Sequence, residues 1–335
     1  MNSQIQSLQK KKNCGEAIHL SGDASSAFVY NKSGKMPAIL EMLEKFANHK
    51  SPILITGETG TGKEQIVKIL HALSQSPGPL VTVNCSAIPP DLLENELFGH
   101  EKGAYTGAGE STEGFIGRAK NGTLFMDEIG ELPLFGQVKI LRLIQDSEYE
   151  KIGSEKQIKT NARFVFATNK NLMNELMDKK FRQDLFYRIN TFEVKLPPLR
   201  ERKEDISLLI DHFLWLASQQ LKRETIRIAN DARNKLIEYE WPGNIRELEN
   251  TITRAAIIAD RGTIEEHHIS VLNHENTLSG KLEILSKLKD EYRLLEKEII
   301  MESLKSNSGN ISATASTLNL SRGSLRYKMK QYDLE

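Results

Sequence analysis

The stretch GETGTGKE at Gly57–Glu64 constrains the fold of this chain more than any other feature. It directly follows an apolar run, Pro52–Thr56, and opens a helical pattern over Glu64–Leu73. A glycine-rich turn between a strand and a helix lets backbone N–H groups and the helix N-terminus surround an anion. Lys63 adds a positive charge for the β- and γ-phosphates. This context favours a nucleotide site over a chance glycine-rich turn. The candidate nucleotide-binding residues are Gly57, Glu58, Thr59, Gly60, Thr61, Gly62, Lys63 and Glu64.

Composition limits the classes of protein to which the chain can belong. Its 335 residues suffice for two or three domains, and its formal net charge of +0 argues against general coating of nucleic acid. Any DNA contact must therefore be local. Cys14 and Cys85 are the two cysteines, which suggests a reducing compartment without a disulfide framework. No apolar run approaches the roughly 18–20 residues of a membrane span. We therefore expect a cytoplasmic protein with no membrane partner.

Short apolar runs alternate with helical patterns between Met36 and Pro197, which favours an α/β fold with a parallel sheet flanked by helices. The candidate strands are Ile53–Thr56, Leu80–Asn84, Thr123–Met126, Arg163–Thr168 and Phe192–Leu196. Beyond the sequence LPPLRER the pattern becomes helical. The candidate helices there are Ile206–Leu221, Asp231–Tyr239 and Ile245–Ala259.

A pair of acids follows one of these strands. GTLFMDEIGE at Gly122–Glu131 places Asp127 and Glu128 where an apolar strand ends. Ligands collect at the carboxyl ends of strands in such sheets. Asp127 is assigned to Mg²⁺, and Glu128 to the attacking water and, as a second carboxylate, to the metal. The alternative, two acids that only cap a strand, loses weight beside the phosphate-binding loop.

Polar residues also end two other strands. Asn84 ends one, and Thr168 with Asn169 ends another, where they could sense the γ-phosphate or the water. Asn and Thr are also common turn formers, so they mean little alone. In FRQDLFYRIN, Arg182 and Arg188 are either surface arginines or reach a neighbouring subunit's ATP. In the second case they would stabilise charge during phosphoryl transfer.

Several motifs together identify a family. The chain resembles the sigma-54-dependent transcriptional activators, or bacterial enhancer-binding proteins, of the AAA+ ATPases, over Ser33 to Leu334. GETGTGKE resembles their Walker A motif, in which a Glu after the Lys is normal, and GTLFMDEIGE resembles their Walker B motif. NCSAIPPDLLENELFGHEKGAYTGA is similar to the family's most distinctive block. FRQDLFYRIN resembles the arginine-finger region, and LPPLRER and WPGNIRELEN resemble the boundary and lid motifs.

The resemblance implies roles for individual residues. Asn84 would switch Glu128 between resting and active positions, and Arg246 would be the lid arginine that senses nucleotide. Arg182 and Arg188 would act across subunits, which implies assembly into a ring, taken to be a hexamer. The implied cofactors are ATP and Mg²⁺.

The resemblance also orders the chain into segments. We predict a short polar tail over 1–32, a nucleotide-binding subdomain over 33–205, a helical lid over 206–272, a linker over 273–282 and a helix-turn-helix domain over 283–335. A tail of this length is too short for a receiver or ligand-sensing domain. We therefore expect control by a separate protein or by expression level.

The loop GAYTGA contains no titratable group other than the phenol of one tyrosine, so we assign it a contact rather than chemistry. Small residues surround Tyr105 and make a flexible tip with one anchor. An ordinary surface loop is the alternative, but in the family this loop contacts sigma-54. The family usually has Phe where this chain has Tyr105. The candidate contact residues are Gly103, Ala104, Tyr105, Thr106, Gly107 and Ala108.

The last segment has two helical patterns joined by a tight turn. Apolar residues share one face of each: Ile311, Ala315 and Leu318 on the first, and Leu325, Met329 and Tyr332 on the second. The second pattern is basic, which indicates a helix-turn-helix that reads the major groove and resembles a Fis-type domain. A helical oligomerisation unit is the alternative. The candidate DNA contacts are Ser321, Arg322, Ser324, Arg326, Tyr327 and Lys328.

These observations predict an ATP-hydrolysing transcription activator that binds upstream DNA and remodels the closed complex of sigma-54 RNA polymerase. Three alternatives stay open. The first is a regulator of the same ancestry that does not engage sigma-54. The second is an AAA+ remodelling enzyme, which would not need the basic helix-turn-helix. The third is a DNA-binding module with an inactive ATPase, which the presence of Lys63, Asp127 and Glu128 argues against.

Overall fold

The computed structural model describes residues 9–12, 15–19, 27–105, 109–259, 262–272, 296–297, 299–307, 310–318, 320, 322–332 and 334. The chain divides into two compact units, Met1–Ile269 and Ser270–Glu335. Across the described ranges, no helix is long and apolar enough to cross a membrane. The predicted linker over 273–282 lies outside the described residues.

The first unit contains strands and helices in alternation. Its strands are β1 (Gln9–Lys12), β2 (Gly15–His19), β3 (Ala27–Asn31), β4 (Ile53–Thr56), β5 (Leu80–Asn84), β6 (Gly99–His100), β7 (Thr112–Glu113), β8 (Thr123–Asp127), β9 (Glu148–Glu150), β10 (Gln157–Lys159), β11 (Arg163–Thr168), β12 (Phe192–Lys195), β13 (Arg227–Ile228) and β14 (Thr263–Ile264). Its α-helices are α1 (Met36–Ala47), α2 (Lys63–Ser74), α3 (Leu93–Phe98), α4 (Phe115–Arg118), α5 (Leu134–Asp146), α6 (Leu172–Met177), α7 (Gln183–Ile189), α8 (Lys203–Gln220), α9 (Asn230–Glu238) and α10 (Asn244–Ile258).

A five-stranded sheet with the order β12-β4-β11-β8-β5 forms the centre of this unit, and every neighbouring pair is parallel. The predicted parallel sheet is confirmed, with bounds within one residue of the sequence expectation. The register aligns Thr56 with Thr168 and Asn84 with Asp127 at the carboxyl ends of the strands. The polar residues that end these strands therefore share one edge of the sheet.

Both faces of the sheet are buried, as a parallel sheet with helices on both sides requires. Side chains alternate between two cores along the three inner strands, β4, β11 and β8. In β8, Leu124 and Met126 pack into one core, and Phe125 packs into the other. In β4, Leu54 packs on the first side, and its two isoleucine neighbours pack on the second. Helices α3, α5 and α7 contribute to the first core, whereas α1 and α2 contribute to the second.

Three helices, α8, α9 and α10, form the lid. Helix α8 packs against both others and presents the buried side chains of Leu209, Ile210 and Phe213. Trp241 is fully buried between α9 and α10, and its indole N–H donates to the carbonyl oxygen of Leu236 at 2.8 Å. The helical patterns predicted for this region are confirmed.

The N-terminus departs from the prediction of a solvated polar tail over 1–32. Strands β1, β2 and β3 form a three-stranded antiparallel sheet, and β3 packs against α8. Phe28 and Tyr30 are buried in the same core as α1 and α2, and the backbone N–H of Asn31 donates to Asp205 Oδ1 at 2.7 Å. The short apolar run in AFVYN indicates a strand, and its two aromatic residues lie on one face. The polar residues before this run favoured the prediction of a tail.

In the part of the second unit that the structure describes, residues 296–297 and 299–306 are helical, and α11 (Ile311–Thr317) and α12 (Arg322–Gln331) follow them. Ile300, Ala315, Leu325 and Met329 form its buried core, with Ile311, Leu318 and Tyr332 packed at the edge. The two apolar faces predicted for the helix-turn-helix therefore meet, as expected. The Asn310 side chain caps α11 by accepting from the N–H groups of Ser312 and Ala313.

Phe28→Ala should test the packing of β3. We expect the free energy of unfolding of the first unit to fall by about 3–4 kcal/mol, because the change removes a ring that is buried against the core beside the cleft. A solvated tail would change it by less than about 0.5 kcal/mol. Urea unfolding followed by tryptophan fluorescence measures this, since Trp215 and Trp241 both lie in this unit. Met42→Ala, at an exposed position of α1, is the control and should have little effect.

Candidate functional site

A cleft of about 280 Å³ lies at the carboxyl edge of the central sheet. The phosphate-binding loop and Lys63 line one part of it, Asp127 and Glu128 another, and Arg246 of the lid a third. The predicted nucleotide residues that line the cleft come from segments far apart in the sequence: Thr59, Gly60, Gly62, Lys63, Glu64 and Arg246. The others are not among its lining residues: Gly57, Glu58, Thr61, Thr168 and Asn169. Phe28 and Val29 of β3 also line the cleft, and the sequence analysis did not anticipate this.

Lys63 is the first residue of α2, and its side chain is buried beneath the loop. Its ammonium group donates to the carbonyl oxygens of Gly57 at 2.9 Å and Glu58 at 3.3 Å. Burial lowers the pKa of Lys63, and the charges of Glu128 and Asp127 oppose this shift. The ammonium group of Lys63 is therefore fixed by the loop carbonyls, and the charges of two carboxylates act on it.

Three successive carbonyl groups of the loop accept hydrogen bonds from outside the loop. Asn244 Nδ2 donates to the Thr59 oxygen at 3.0 Å, and the Ile245 N–H donates to the Gly60 oxygen at 2.9 Å. An Arg202 Nη2–H donates to the Thr61 oxygen at 2.7 Å. The donors belong to LPPLRER and WPGNIRELEN, so these two motifs hold the loop as well as marking a boundary and a lid.

Gly60 is a loop position at which both the backbone and its surroundings require a glycine. Its φ is +78°, and a Cβ atom there would lie 2.3 Å from the carbonyl oxygen of Gly243. Both the left-handed backbone and the close approach of the lid exclude a larger residue. The loop and the lid therefore meet backbone to backbone.

The Glu58 side chain does not point towards the cleft. Its carboxylate accepts two hydrogen bonds from Arg200, at 2.6 and 2.9 Å, and one from Asn244 Nδ2 at 3.1 Å. The hydrogen bond from Arg200 lowers the pKa of Glu58, with Asn244 acting in the same direction and burial opposing both. Glu58 was expected among the nucleotide-binding residues, and the structure places its side chain on the outer side of the loop.

The acids of the cleft divide into two kinds. Glu64 lines the cleft but pairs with Lys68 one helical turn away, at 2.9 Å. Asp127 Oδ1 accepts the N–H of Glu128, which has a left-handed backbone with φ of +53°. Mg²⁺ is usually held by one or two carboxylates together with substrate phosphates. Asp127 and Glu128 present such a set at the cleft, so these residues fit the ion.

The strand that ends at Thr168 connects the acids with the loop. The Asn169 N–H lies 3.4 Å from Glu128 Oε2, and Asn169 Nδ2 donates to Thr59 Oγ1 at 2.9 Å. Thr168 is fully buried, and its carbonyl oxygen accepts the N–H of Gly57. Asn169 therefore bridges the loop and Glu128, whereas Thr168 supports the loop from below.

Asn84 lies beside Asp127 in the sheet register. Its side-chain oxygen accepts from both the N–H and the hydroxyl of Ser86, at 3.0 and 2.7 Å. This bond caps the turn of 3₁₀ helix that follows β5. The structure therefore places Asn84 next to the acids, with its amide oxygen directed to Ser86.

The two candidate arginine fingers lie away from the cleft of their own chain. Arg182 pairs with Asp184 through bonds of 3.0 and 2.6 Å, and an Arg188 Nη2–H donates to the Ile144 carbonyl at 3.3 Å. Gln137, which is fully buried, holds this segment: its amide donates to the Lys180 carbonyl, and its oxygen accepts the N–H of Arg182. Sequence analysis missed Gln137, because one glutamine in a helical pattern carries no motif.

The GAYTGA loop is described through Tyr105, and Thr106, Gly107 and Ala108 lie outside the described residues. Strands β6 and β7 pair at the base of the loop. The Tyr105 ring is 47% exposed and lies 5.1 Å from the ring of His100. A Cβ atom on Gly153, between β9 and β10, would lie 2.6 Å from the Ala104 side chain. Tyr105 is therefore presented to solvent on a base that a second loop supports.

In the second unit, Arg322 and Arg326 are exposed on α12. Lys328, an expected DNA contact, instead forms an ion pair with Glu296 at 2.6 Å, and Glu296 also accepts from the Tyr332 hydroxyl at 2.6 Å. Glu296 lies before the two patterns, so the sequence analysis gave it no role. Ser321 and the side chains of Ser324 and Tyr327 lie outside the described residues.

The chain matches three domain families in succession. The Sigma-54 interaction domain matches residues 29–195, and the AAA+ ATPase lid domain matches residues 200–282. The Bacterial regulatory protein, Fis family, matches residues 292–332. These matches follow the order expected from the resemblance.

Curated relatives match over most of this chain. Regulatory protein AtoC of Escherichia coli (strain K12) is 41% identical over 342 residues, covering 99% of this chain and 73% of AtoC. Response regulator protein PilR of Pseudomonas aeruginosa is 37% identical, covering 91% of this chain and 69% of PilR. Nitrogen fixation protein AnfA of Azotobacter vinelandii is 39% identical, covering 91% of this chain and 57% of AnfA. The chain thus spans between about half and three quarters of the length of such relatives.

A solved structure agrees with the fold. NtrX from Brucella abortus, crystallised in complex with ATP, superposes with a TM-score of 0.68 at 32% sequence identity, covering 88% of this chain and 67% of NtrX. A complex of NtrX with ADP gives the same TM-score. The chain belongs to the sigma-54-dependent transcriptional activators, with an AAA+ ATPase domain, its lid and a Fis-type helix-turn-helix that binds DNA.

Proposed function

We propose that this protein hydrolyses ATP in the cleft between the central sheet and the lid, and that hydrolysis drives the GAYTGA loop against sigma-54 to remodel the closed complex of RNA polymerase. One observation carries the proposal. Lys63, the Asp127–Glu128 pair and Arg246 line a single cleft, and the same unit presents Tyr105 to solvent.

The residues of the cleft divide the work of phosphoryl transfer. Lys63 and the backbone N–H groups of the loop bind the phosphates. Asp127 would hold Mg²⁺, and the bound ion would supply positive charge that offsets the charge of the phosphates. Glu128 orients the attacking water and accepts its proton, and Asn169 keeps Glu128 near the loop. Arg246 lines the cleft from the lid, where it senses the nucleotide.

Arg182 and Arg188 complete the site from a neighbouring subunit. Among the described residues that line the cleft of their own chain, neither arginine occurs. Arg182 is exposed at the start of α7, where its partner is the exposed Asp184. This placement supports a trans role and assembly into a ring, which we take to be a hexamer. An Arg that reaches a neighbouring ATP contributes on the order of 10³–10⁵ in rate in related systems.

Asn84 gives a path from the acids to the loop. It lies beside Asp127, and the chain continues from it through α3 to β6, where the loop begins. We propose that Asn84 exchanges its bond with Ser86 for one with Glu128 during the cycle. A rearrangement of this bond would move the turn after β5 and, through α3, the base of the GAYTGA loop.

The second unit directs the protein to upstream DNA in the cytoplasm, where we propose a separate regulatory protein controls its activity. Arg322 and Arg326 contact base edges or phosphates, with Ser321, Ser324 and Tyr327 as further candidates. A regulator of this family that does not engage sigma-54 remains the second candidate, and it is favoured only by the hydroxyl that Tyr105 adds to the usual Phe.

Lys63→Ala should weaken ATP binding strongly and leave DNA binding intact. A charged hydrogen-bond donor contributes about 2–3 kcal/mol, or on the order of 100-fold in Kd. Equilibrium binding of a fluorescent ATP analogue measures the loss. Gel shift on upstream DNA measures the second property, which resides in a separate unit. Lys45→Ala, at an exposed lysine of α1, is the control. Loss of DNA binding together with ATP binding would contradict this division.

Tyr105→Ala should stop transcription activation while the ATPase rate stays within about twofold of wild type, because the aromatic ring of Tyr105 lies outside the cleft. The direct measurement is a gel shift of the protein with sigma-54, in ADP plus aluminium fluoride to mimic the transition state. We expect a trapped complex with wild type and none with the variant.

Tyr105→Phe is the matched variant, since it keeps the ring and removes only the hydroxyl. It should retain the trapped complex. If wild type hydrolyses ATP but traps no complex with sigma-54, the second candidate function replaces the first.

A further inference from the structure

We infer that Glu58, Arg200 and Asn244 form a clamp that positions the phosphate-binding loop for ATP and ties the lid to it. None of the three touches the nucleotide through its side chain in this assignment. They are positioning residues, and they act through the loop backbone. The inference rests on the proposed hydrolysis of ATP in this cleft.

The direction of the loop carbonyls is the first argument. In a trans peptide the carbonyl of one residue and the N–H of the next point in opposite directions. The carbonyls of Thr59, Gly60 and Thr61 all accept bonds from outside the loop. The N–H groups of Gly60 and Gly62 therefore point away from these donors, towards the cleft where phosphate oxygens would bind. The N–H of Thr61 instead donates to the carbonyl oxygen of Glu58 at 3.4 Å and closes the turn of the loop. External donors thus set the orientation of the groups that the anion needs.

Asn244 is the centre of the clamp. It is fully buried and has a left-handed backbone with φ of +55°, which Asn tolerates better than most residues. Its Nδ2 donates to Glu58 Oε2 and the Thr59 oxygen, and its Oδ1 accepts the N–H of Leu199 at 2.7 Å. One side chain thus joins the loop, the LPPLRER segment and the first residue of α10. Both of its polar atoms are used, and neither could be replaced by an apolar group.

The negative charge of Glu58 requires a hydrogen-bond donor at position 244. Glu58 is already ionised and held by the two-pronged bond from Arg200. Both side chains of that pair are about 40% exposed, at 40% and 42%, so the pair alone contributes little. A donor at position 244 completes the carboxylate's bonding at the buried end. An acceptor there would face both a carboxylate and a carbonyl oxygen.

The clamp also explains how the lid would respond to nucleotide. Asn244 and Ile245 begin α10, and Arg246, the cleft-lining residue of the lid, follows them directly. A shift of the loop therefore moves the start of α10 and Arg246 with it. The clamp therefore couples the position of the lid to phosphate binding.

Asn244→Asp is the sharp test, because it keeps the size, the left-handed tolerance and the acceptor for Leu199 but replaces the donor by an acceptor. We expect the Kd for ATP to rise and kcat to fall, so that the ratio of kcat to Kd drops by about 10- to 100-fold. A loss of this size is expected when a reacting group is misplaced by about 1 Å. Adding Glu58→Gln supplies a donor opposite the carboxylate introduced at position 244 and should recover part of the ATP affinity. Wild type, the two single variants and the double variant form a double-mutant cycle, which measures the coupling energy between Glu58 and Asn244.

Arg233→Gln is the matched control. It removes a lid ion pair with Asp211 that does not touch the loop, and it should leave ATP binding unchanged. Thermal unfolding of every variant without nucleotide separates positioning from general stability. A merely structural role would lower Tm and leave the ATP Kd of the folded protein unchanged.

The outcomes are distinct. Weaker ATP binding by Asn244→Asp, recovery in the double variant and an unaffected control support the clamp. Equal ATP binding by Asn244→Asp and wild type overturns it and leaves the proposed function standing. Equal loss in Arg233→Gln also overturns it. If wild type binds no ATP, the proposed function and the clamp fall together, whereas failure to trap sigma-54 affects only the proposed function.

Discussion

The parallel direction of the five strands in the central sheet is the constraint on which the nucleotide cleft depends. Because all five run the same way, the polar residues that end β4, β5, β8 and β11 lie on one edge. The acids at 127 and 128, Asn84 and Asn169 come from segments far apart in the chain, yet no long-range rearrangement is needed to bring them together. Burial on both faces stabilises this arrangement, because the three inner strands, β4, β11 and β8, supply side chains to two cores.

Much of this could be predicted from local patterns. Each strand of the central sheet is a short apolar run bounded by polar residues, and strand ends and a glycine-rich turn mark the cleft without knowledge of contacts. The position of β3 was not predictable in the same way. AFVYN is too short to outweigh a polar N-terminal stretch, and its burial depends on α1, α2 and α8, which pack around it. Tertiary packing overrides the local signal here.

The expected roles of Glu58 and Lys328 show a second limit. A motif states which residue types accompany a phosphate, but not which way each side chain turns. Glu58 turns outward because Arg200 and Asn244 offer donors there, and Lys328 is held because Glu296 lies across from it. Both partners are distant in sequence. Charge pairs over such separations become visible only once the chain is folded.

The contact between Gly60 and Gly243 has a consequence for how the protein can vary. Both partners are main chain, so this contact makes no demand on side chains beyond the two glycines and the residues that bond directly to the loop. Related proteins could differ in the outer face of the lid, in the Tyr105 loop or in the DNA-binding helix while the contact between Gly60 and Gly243 stays the same. A backbone contact of this kind lets the surfaces that recognise partners change while the contact between the phosphate-binding loop and the lid is kept.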